Sequence, residues 1–222
     1  MANGLDFGWL ETGFRALLEG AGMTLWLTVC STLLGLLISV LGAAARRGRI
    51  GWLRAAVGLY VESIRNTPFI VQLFFIYFGL PSVGMNLDPI LAAVIAMTLN
   101  VGAYATEIVA AGLAAVGAGQ REAAQALGLR PRIVFVKVVL PQALAVIFPA
   151  LASQVVITML DSAVVSQISV RELTMRANLI QSDTFRPFET FLVAAALYLG
   201  LSVLLRRVLN FCARRYLGPG LS

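Results

Sequence analysis

Five apolar stretches, each long enough to cross a bilayer, constrain this chain more than any other feature. A spanning helix needs about 20 mostly apolar residues, and the segments at roughly 20–45, 55–80, 88–116, 140–164 and 188–209 reach that length. Hydrophobic residues make up 59% of the sequence and charged ones 13%, against an apolar share of roughly 45–50% in a soluble domain. The expected fold is all-α, a polytopic transmembrane helical bundle of five spans. Residues 1–222 are read as one transmembrane domain, with no internal repeat, no low-complexity tract and no sign of a soluble second domain.

The charges between the spans set the orientation. One set of loops holds Arg46, Arg47, Arg49, Arg54, Arg121, Arg130, Arg132, Lys137, Arg206, Arg207, Arg214 and Arg215. The alternate set holds only Arg15, Arg171, Arg176 and Arg186. The positive-inside rule then places the C-terminus in the cytoplasm and the N-terminus outside. Basic cytoplasmic loops account for the net charge of +6, which therefore gives no reason to expect a nucleic acid partner.

Other chemistries find little support. There is no histidine, and Cys30 and Cys212 are the two cysteines, so zinc sites and histidine catalysis are not expected, nor is a disulfide. No metal site and no catalytic residue are assigned. The N-terminus has no basic leader, and "RRGR" follows the first apolar run, which argues against a cleaved signal peptide. Residues 6–19 place Phe7, Leu10, Phe14, Leu17 and Leu18 at helical spacing and predict a helix lying along the outer surface. Residues 166–187 are too polar to span and read either as a re-entrant gate helix or as a surface loop.

The stretch at 120–141, "QREAAQALGLRPRIVFVKVVLP", is a charged, alanine-rich interruption between the third and fourth spans. Its composition predicts a short cytoplasmic helix at about 119–128, ended by Gly128 in a left-handed conformation. Ala123 and Ala124 offer small faces for close approach, and Glu122 one orienting charge. Such a helix suits docking into a groove on a partner.

With its surroundings, the stretch resembles the permease subunits of type I ABC importers. Their cytoplasmic signature runs EAA, three residues, G, nine residues, I, any residue, LP. Here Glu122, Ala123, Ala124, Gly128, Leu140 and Pro141 stand at those positions, with Val138 in place of isoleucine. The resemblance implies a type I ABC importer permease fold. It implies that Glu122, Ala123, Ala124 and Gly128 form the coupling helix, which receives force from an ATP-binding cassette ATPase dimer. This chain has no phosphate-binding G-x-x-x-x-G-K-[ST] loop, so ATP and Mg are expected on the separate ATPase subunit and no cofactor on this one. A bacterial inner membrane location follows from the same resemblance.

Three further stretches, "YVESIRNTPFIVQLFFIYFGLP" at 60–81, "GAYATEIVAAGL" at 102–113 and "DSAVVSQISVRELT" at 161–174, narrow the resemblance to the polar amino acid uptake group. That group implies a second permease subunit in a homo- or heterodimer, and an extracytoplasmic amino acid-binding protein that delivers the substrate. Two positions depart from it. Ala110-Ala111-Gly112 stands where Arg-Gly-Gly is frequent, and Leu160 where a lysine precedes the aspartate closing span four.

Ionisable residues inside spans are costly and each calls for a reason. Glu62 and Arg65, three apart on one helix face, are expected to neutralise one another. Asn100, Tyr104 and Glu107 form a stripe that either bonds neighbouring helices or lines a cavity; Asn100 and Tyr104, nearer mid-membrane, are the better cavity residues. Asp161, at the outer end of span four, reads either as a ligand for a substrate cation or as a helix-end residue wetted by the interface. Pro68, Pro141 and Pro149 are expected to kink their helices. The expected function is that of an importer permease subunit, forming with its partner the path for a polar amino acid; the rival is a stand-alone ion-coupled carrier or channel for a small polar solute.

Overall fold

The computed structural model describes residues 5–217. Helix α1 runs Leu10–Arg47, α2 Gly51–Arg65, and α3 Phe69–Phe74, which continues through a π-helical Phe75–Gly79 and a 3-10 turn Leu80–Val83. Helix α4 runs Pro89–Ala115 and α5 Ala118–Ala126. A short α6, Pro131–Ile133, leads through a π-helical Val134–Val139 into α7, Leu140–Asp161, and a 3-10 segment Ser162–Ile168. Helices α8, Leu173–Thr184, and α9, Pro187–Leu217, complete the bundle.

Four continuous helical stretches are long and apolar enough to cross a membrane: Leu10–Arg47, Pro89–Ala115, Pro131–Ile168 and Pro187–Arg215. A fifth crossing is broken. Gly51–Arg65 and Phe69–Val83 meet at an angle of 111°, so the apolar run at 55–80 is not the single helix that its hydropathy suggests. The cause is Pro68, which disfavours helical backbone at Thr67 and has no N–H to donate. Carbonyls freed at a break inside lipid must find donors, and the Gln72 amide nitrogen supplies them, donating to Ile64 O and Thr67 O at 2.8 Å each.

Helices α1 and α4 pack through small residues. Thr28, Ser31, Gly35, Ser39 and Gly42 of α1 are buried, as are Ala105, Thr106 and Gly102 of α4. Lipid is as apolar as leucine, so helices in a bilayer gain by close approach of their backbones rather than by burying oil. A Cβ on Gly35 would run into Val101 and lie 3.0 Å from the Gly102 backbone nitrogen. Helix α4 meets α7 equally tightly at Gly112, where a Cβ would collide with Ile147.

The N-terminal segment differs from expectation. Residues 10–19 do not form a separate surface helix; they are the first turns of α1. Leu17 is fully buried with Trp9, Leu173, Ala177 and Ala194. Helices α8 and α9 cover the Leu10 and Leu17 side of this segment, while Phe14 and Leu18 stay exposed. Glu19 pairs with Arg176, and Arg186 pairs with Asp6, at 3.0 and 2.8 Å. The 166–187 region is thus a packed element and not a plain loop. Its first part enters the core: Ile168 and Val170, with Val165 just before them, are buried with Leu27, Leu73, Ala92, Ala96 and Met97.

Candidate functional site

The break in the second crossing opens one wall of a cavity of about 540 Å³. Its lining comes from three places. Arg65, Asn66, Thr67, Pro68 and Phe69 come from the break, Asn100 and Tyr104 from α4, and Gln154, Ile157 and Asp161 from α7. Asn100 and Tyr104 are one turn apart on α4, and Gln154 and Asp161 two turns apart on α7, so each pair points the same way from its helix. The three pathway residues singled out in the sequence, Asn100, Tyr104 and Asp161, therefore border one space. Sequence reasoning missed Gln154 and Ile157. Ile157 is one apolar residue among many on α7, and Gln154 one of several polar ones with Ser153 and Thr158, so neither stood out until α4 and the helix break were placed beside them.

The lining carries one carboxylate, Asp161, and one guanidinium, Arg65. Arg65 sits over the Tyr104 ring, 5.6 Å from its centroid, a stacking that a planar guanidinium favours. Asn100 is buried and donates to Gln72 Oε1 at 3.0 Å. The cavity wall and the brace of the helix break are thus joined through one hydrogen bond.

The expected Glu62–Arg65 pair is absent. Glu62 is exposed and makes no ion pair among the described residues. Arg65 lies 3.7 Å from Glu107 Oε2, and Arg46 donates to the same oxygen. The 111° bend follows Arg65 directly, and the turn toward α4 offers it a carboxylate on another helix. Glu107 itself does not line the cavity; Arg46 and Arg65 hold it at the α1–α2–α4 junction.

At the basic-loop end, α5 starts at Ala118, close to the expected 119. Gly128 has φ +74°, the left-handed conformation that a helix-ending glycine takes without a Cβ penalty. The alanines divide their work. Ala124 is buried with Val116, Val134, Val139 and Ala143, while Ala123 and Glu122 are exposed. Leu127, which the sequence reading passed over, is 80% exposed beside them. Arg121 ties this helix to α4 by donating to Leu113 O at 2.9 Å and Val116 O at 3.5 Å.

A helical bundle with four or five crossings, a discontinuous helix beside a polar cavity and a short helix projecting from the basic face defines a membrane transport subunit. The family described as binding-protein-dependent transport system inner membrane component matches residues 33–218, and this chain belongs to it. The chain is 38% identical over 216 residues to the glutamine transport system permease protein of Escherichia coli (strain K12), covering 95% of this chain and 98% of that protein. It is 35% identical over 208 residues to the L-cystine transport system permease protein of Bacillus subtilis (strain 168), covering 93% and 89%. A crystal structure of an amino acid ABC transporter with histidines superposes with a TM-score of 0.89 at 36% identity, over 96% of this chain and 99% of that one. An inward-facing methionine ABC transporter shares the fold, with a TM-score of 0.64 at 23% identity. The chain is a multi-pass inner membrane protein and a permease subunit, a transport component rather than an enzyme.

Proposed function

We propose that this permease subunit moves a polar amino acid through the cavity at the helix break, with Asn100, Tyr104 and Asp161 on the substrate path. The observation that carries the reading is the placement of Asp161 and Arg65 around one space of about 540 Å³. An amino acid brings an ammonium and a carboxylate into a low-dielectric site, and each needs an opposite charge or several hydrogen bonds there. Asp161 meets the ammonium and the Arg65 guanidinium the carboxylate. Neutral amides at Asn100 and Gln154 suit a polar, uncharged remainder. The glutamine and cystine transport permeases among its relatives support the same substrate class.

On this reading the basic-loop face is cytoplasmic and the N-terminus lies outside. Glu122, Ala123, Ala124 and Gly128 shape the helix that docks into the ATP-binding cassette ATPase dimer, which holds ATP and Mg. Ala124 and Arg121 pass its movement to α4, and an extracytoplasmic binding protein delivers the amino acid to the opposite face. A second permease subunit completes the pathway.

The test is reconstitution of the full complex with its ATPase and binding protein. Asp161→Asn is expected to leave basal ATP hydrolysis in place and to abolish its stimulation by amino acid. Glu122→Lys is expected to abolish uptake without loss of membrane insertion. Normal uptake in Glu122→Lys membranes, or uptake that needs no ATP, would return the chain to the ion-coupled carrier reading.

A further inference from the structure

The outer end of the bundle holds a carboxylate that the pathway does not use. Glu172 is completely buried, and no Lys or Arg pairs with it among the described residues. It caps α8, with Oε2 accepting from Thr174 N at 2.9 Å and Oε1 from Met175 N at 2.8 Å. Its remaining capacity goes to other helices. Tyr198 of α9 donates its hydroxyl to Oε2 at 2.7 Å, and Thr24 of α1 donates to the same oxygen at 3.5 Å. Thr24 Oγ1 also accepts from Leu173 N at 3.3 Å, and the Thr174 and Tyr198 hydroxyls lie 2.9 Å apart. Gly20 removes the last obstacle to contact, since a Cβ there would lie 2.9 Å from Leu173 Cα.

An ordinary helix cap needs only a short polar side chain at the surface. Here a buried carboxylate gathers donors from three helices, a costly arrangement that a neutral cap would avoid. What lies upstream gives it a purpose. From Asp161 on the cavity wall the chain continues as the 3-10 segment Ser162–Ile168, in which Ser162, Val165, Ser166 and Ile168 are buried, turns through Ser169 at φ +64°, and reaches Glu172 three residues later. Ser169 holds a left-handed backbone that serine seldom adopts. The 3-10 segment fills the core beside Phe69, which is itself a cavity residue. The chain between the cavity and the cap is thus a short 3-10 segment, packed into the core by Val165 and Ile168 and joined to the cap through Ser169.

We infer that Glu172 is a positioning residue: by clamping α8 to Thr24 and Tyr198 it holds the Ser162–Ile168 plug in place and keeps the cavity closed toward the outer face. This inference rests on the cavity being the substrate path. The plug moves about Ser169 when the path opens outward, while α8, α1 and α9 stay together as a fixed collar.

The test uses the full chain in right-side-out membrane vesicles, with Cys30→Ser and Cys212→Ser removing background thiols and Ile157→Cys placing a reporter in the cavity. A membrane-impermeant maleimide is added outside. Glu172→Gln is expected to raise the labelling rate about tenfold, because the amide keeps the shape and puts N–H groups against donors. Tyr198→Phe, which leaves the cap on α8 intact, and Thr24→Val, which keeps both backbone bonds to Glu172 but also frees Leu173 N, are expected to raise it less. In the reconstituted complex, Glu172→Gln is expected to raise basal ATP hydrolysis and so lower the ratio of amino acid-stimulated to basal rate. A purely structural cap would lower yield and melting temperature and leave labelling rate and ratio unchanged, and that result overturns the inference. Should Glu172→Gln fail to insert, unchanged labelling in Tyr198→Phe and Thr24→Val overturns it equally. Labelling needs no ATPase, whereas absence of any ATPase copurifying with the unsubstituted chain counts against the importer reading alone.

Discussion

Asn100 donates its side-chain amide to Gln72 across 3.0 Å, and through that bond α4 steadies a break in a neighbouring membrane helix. Gln72 donates in turn to Ile64 O and Thr67 O, so one side chain satisfies two carbonyls that Pro68 left behind. The cavity exists because the helix turns at this point, and Asn100 is both brace and wall.

Gln72→Leu removes both donors and the acceptor for Asn100 at nearly constant volume. Each polar group left unpaired in a buried site costs about 1–3 kcal/mol, so the melting temperature of the detergent-solubilised chain is expected to fall by several degrees and uptake to be lost. Scanning fluorimetry checks the first part. A melting temperature equal to that of the unsubstituted chain would mean that the break holds without its brace.

Gly112→Ala drives a methyl group into Ile147. Overpacking of this kind costs about 1–3 kcal/mol, read as lower yield and melting temperature. Ile147→Ala in the same chain frees the space, so the double variant is expected to be more stable than the sum of the two single losses predicts. A double-mutant cycle measures that interaction.

Arg121→Ala cuts the guanidinium link from α5 to the end of α4 without touching the exposed Glu122, Ala123 and Leu127. Hydrogen bonds from a charged donor contribute about 1.5–3 kcal/mol, enough for a tenfold or larger change in rate. In the complex, ATPase association is expected to persist while amino acid-stimulated hydrolysis drops about tenfold. Loss of association in a pull-down would instead make Arg121 part of the docking surface.

Burial raises the Glu172 carboxyl above its ordinary value of 4.5, against the opposing pull of its bonds from Thr174, Tyr198, Met175 and Thr24. The folded chain then holds this proton more tightly than the unfolded one. Its stability contribution is full below about pH 4.5 and is lost as pH rises through the raised folded value. The melting temperature of the unsubstituted chain is expected to fall relative to that of Glu172→Gln between pH 4.5 and 8. The opposite slope would mean that the four bonds outweigh desolvation.

Local chemistry made much of this protein legible in its sequence. The apolar runs fixed helices in lipid because nothing else of that length satisfies its own backbone. Gly128 announced the end of α5 because only a residue without a Cβ takes φ +74° freely. Asn100, Tyr104 and Asp161 stood out because polar groups in apolar helices need a reason to be there.

Tertiary structure decided the rest. Helical spacing allowed Arg65 to pair with Glu62, but the bend after it and the approach of α1 and α4 gave it Glu107. The apolar spacing read residues 6–19 as a helix along the outer surface, yet α8 and α9 bury Leu17. Gln154, Ile157 and Glu172 acquire meaning only from residues far along the chain. A sequence determines what each segment needs to bury or to pair; which distant segment meets the need is settled when the helices pack together, because charge and apolar surface do not specify their partner.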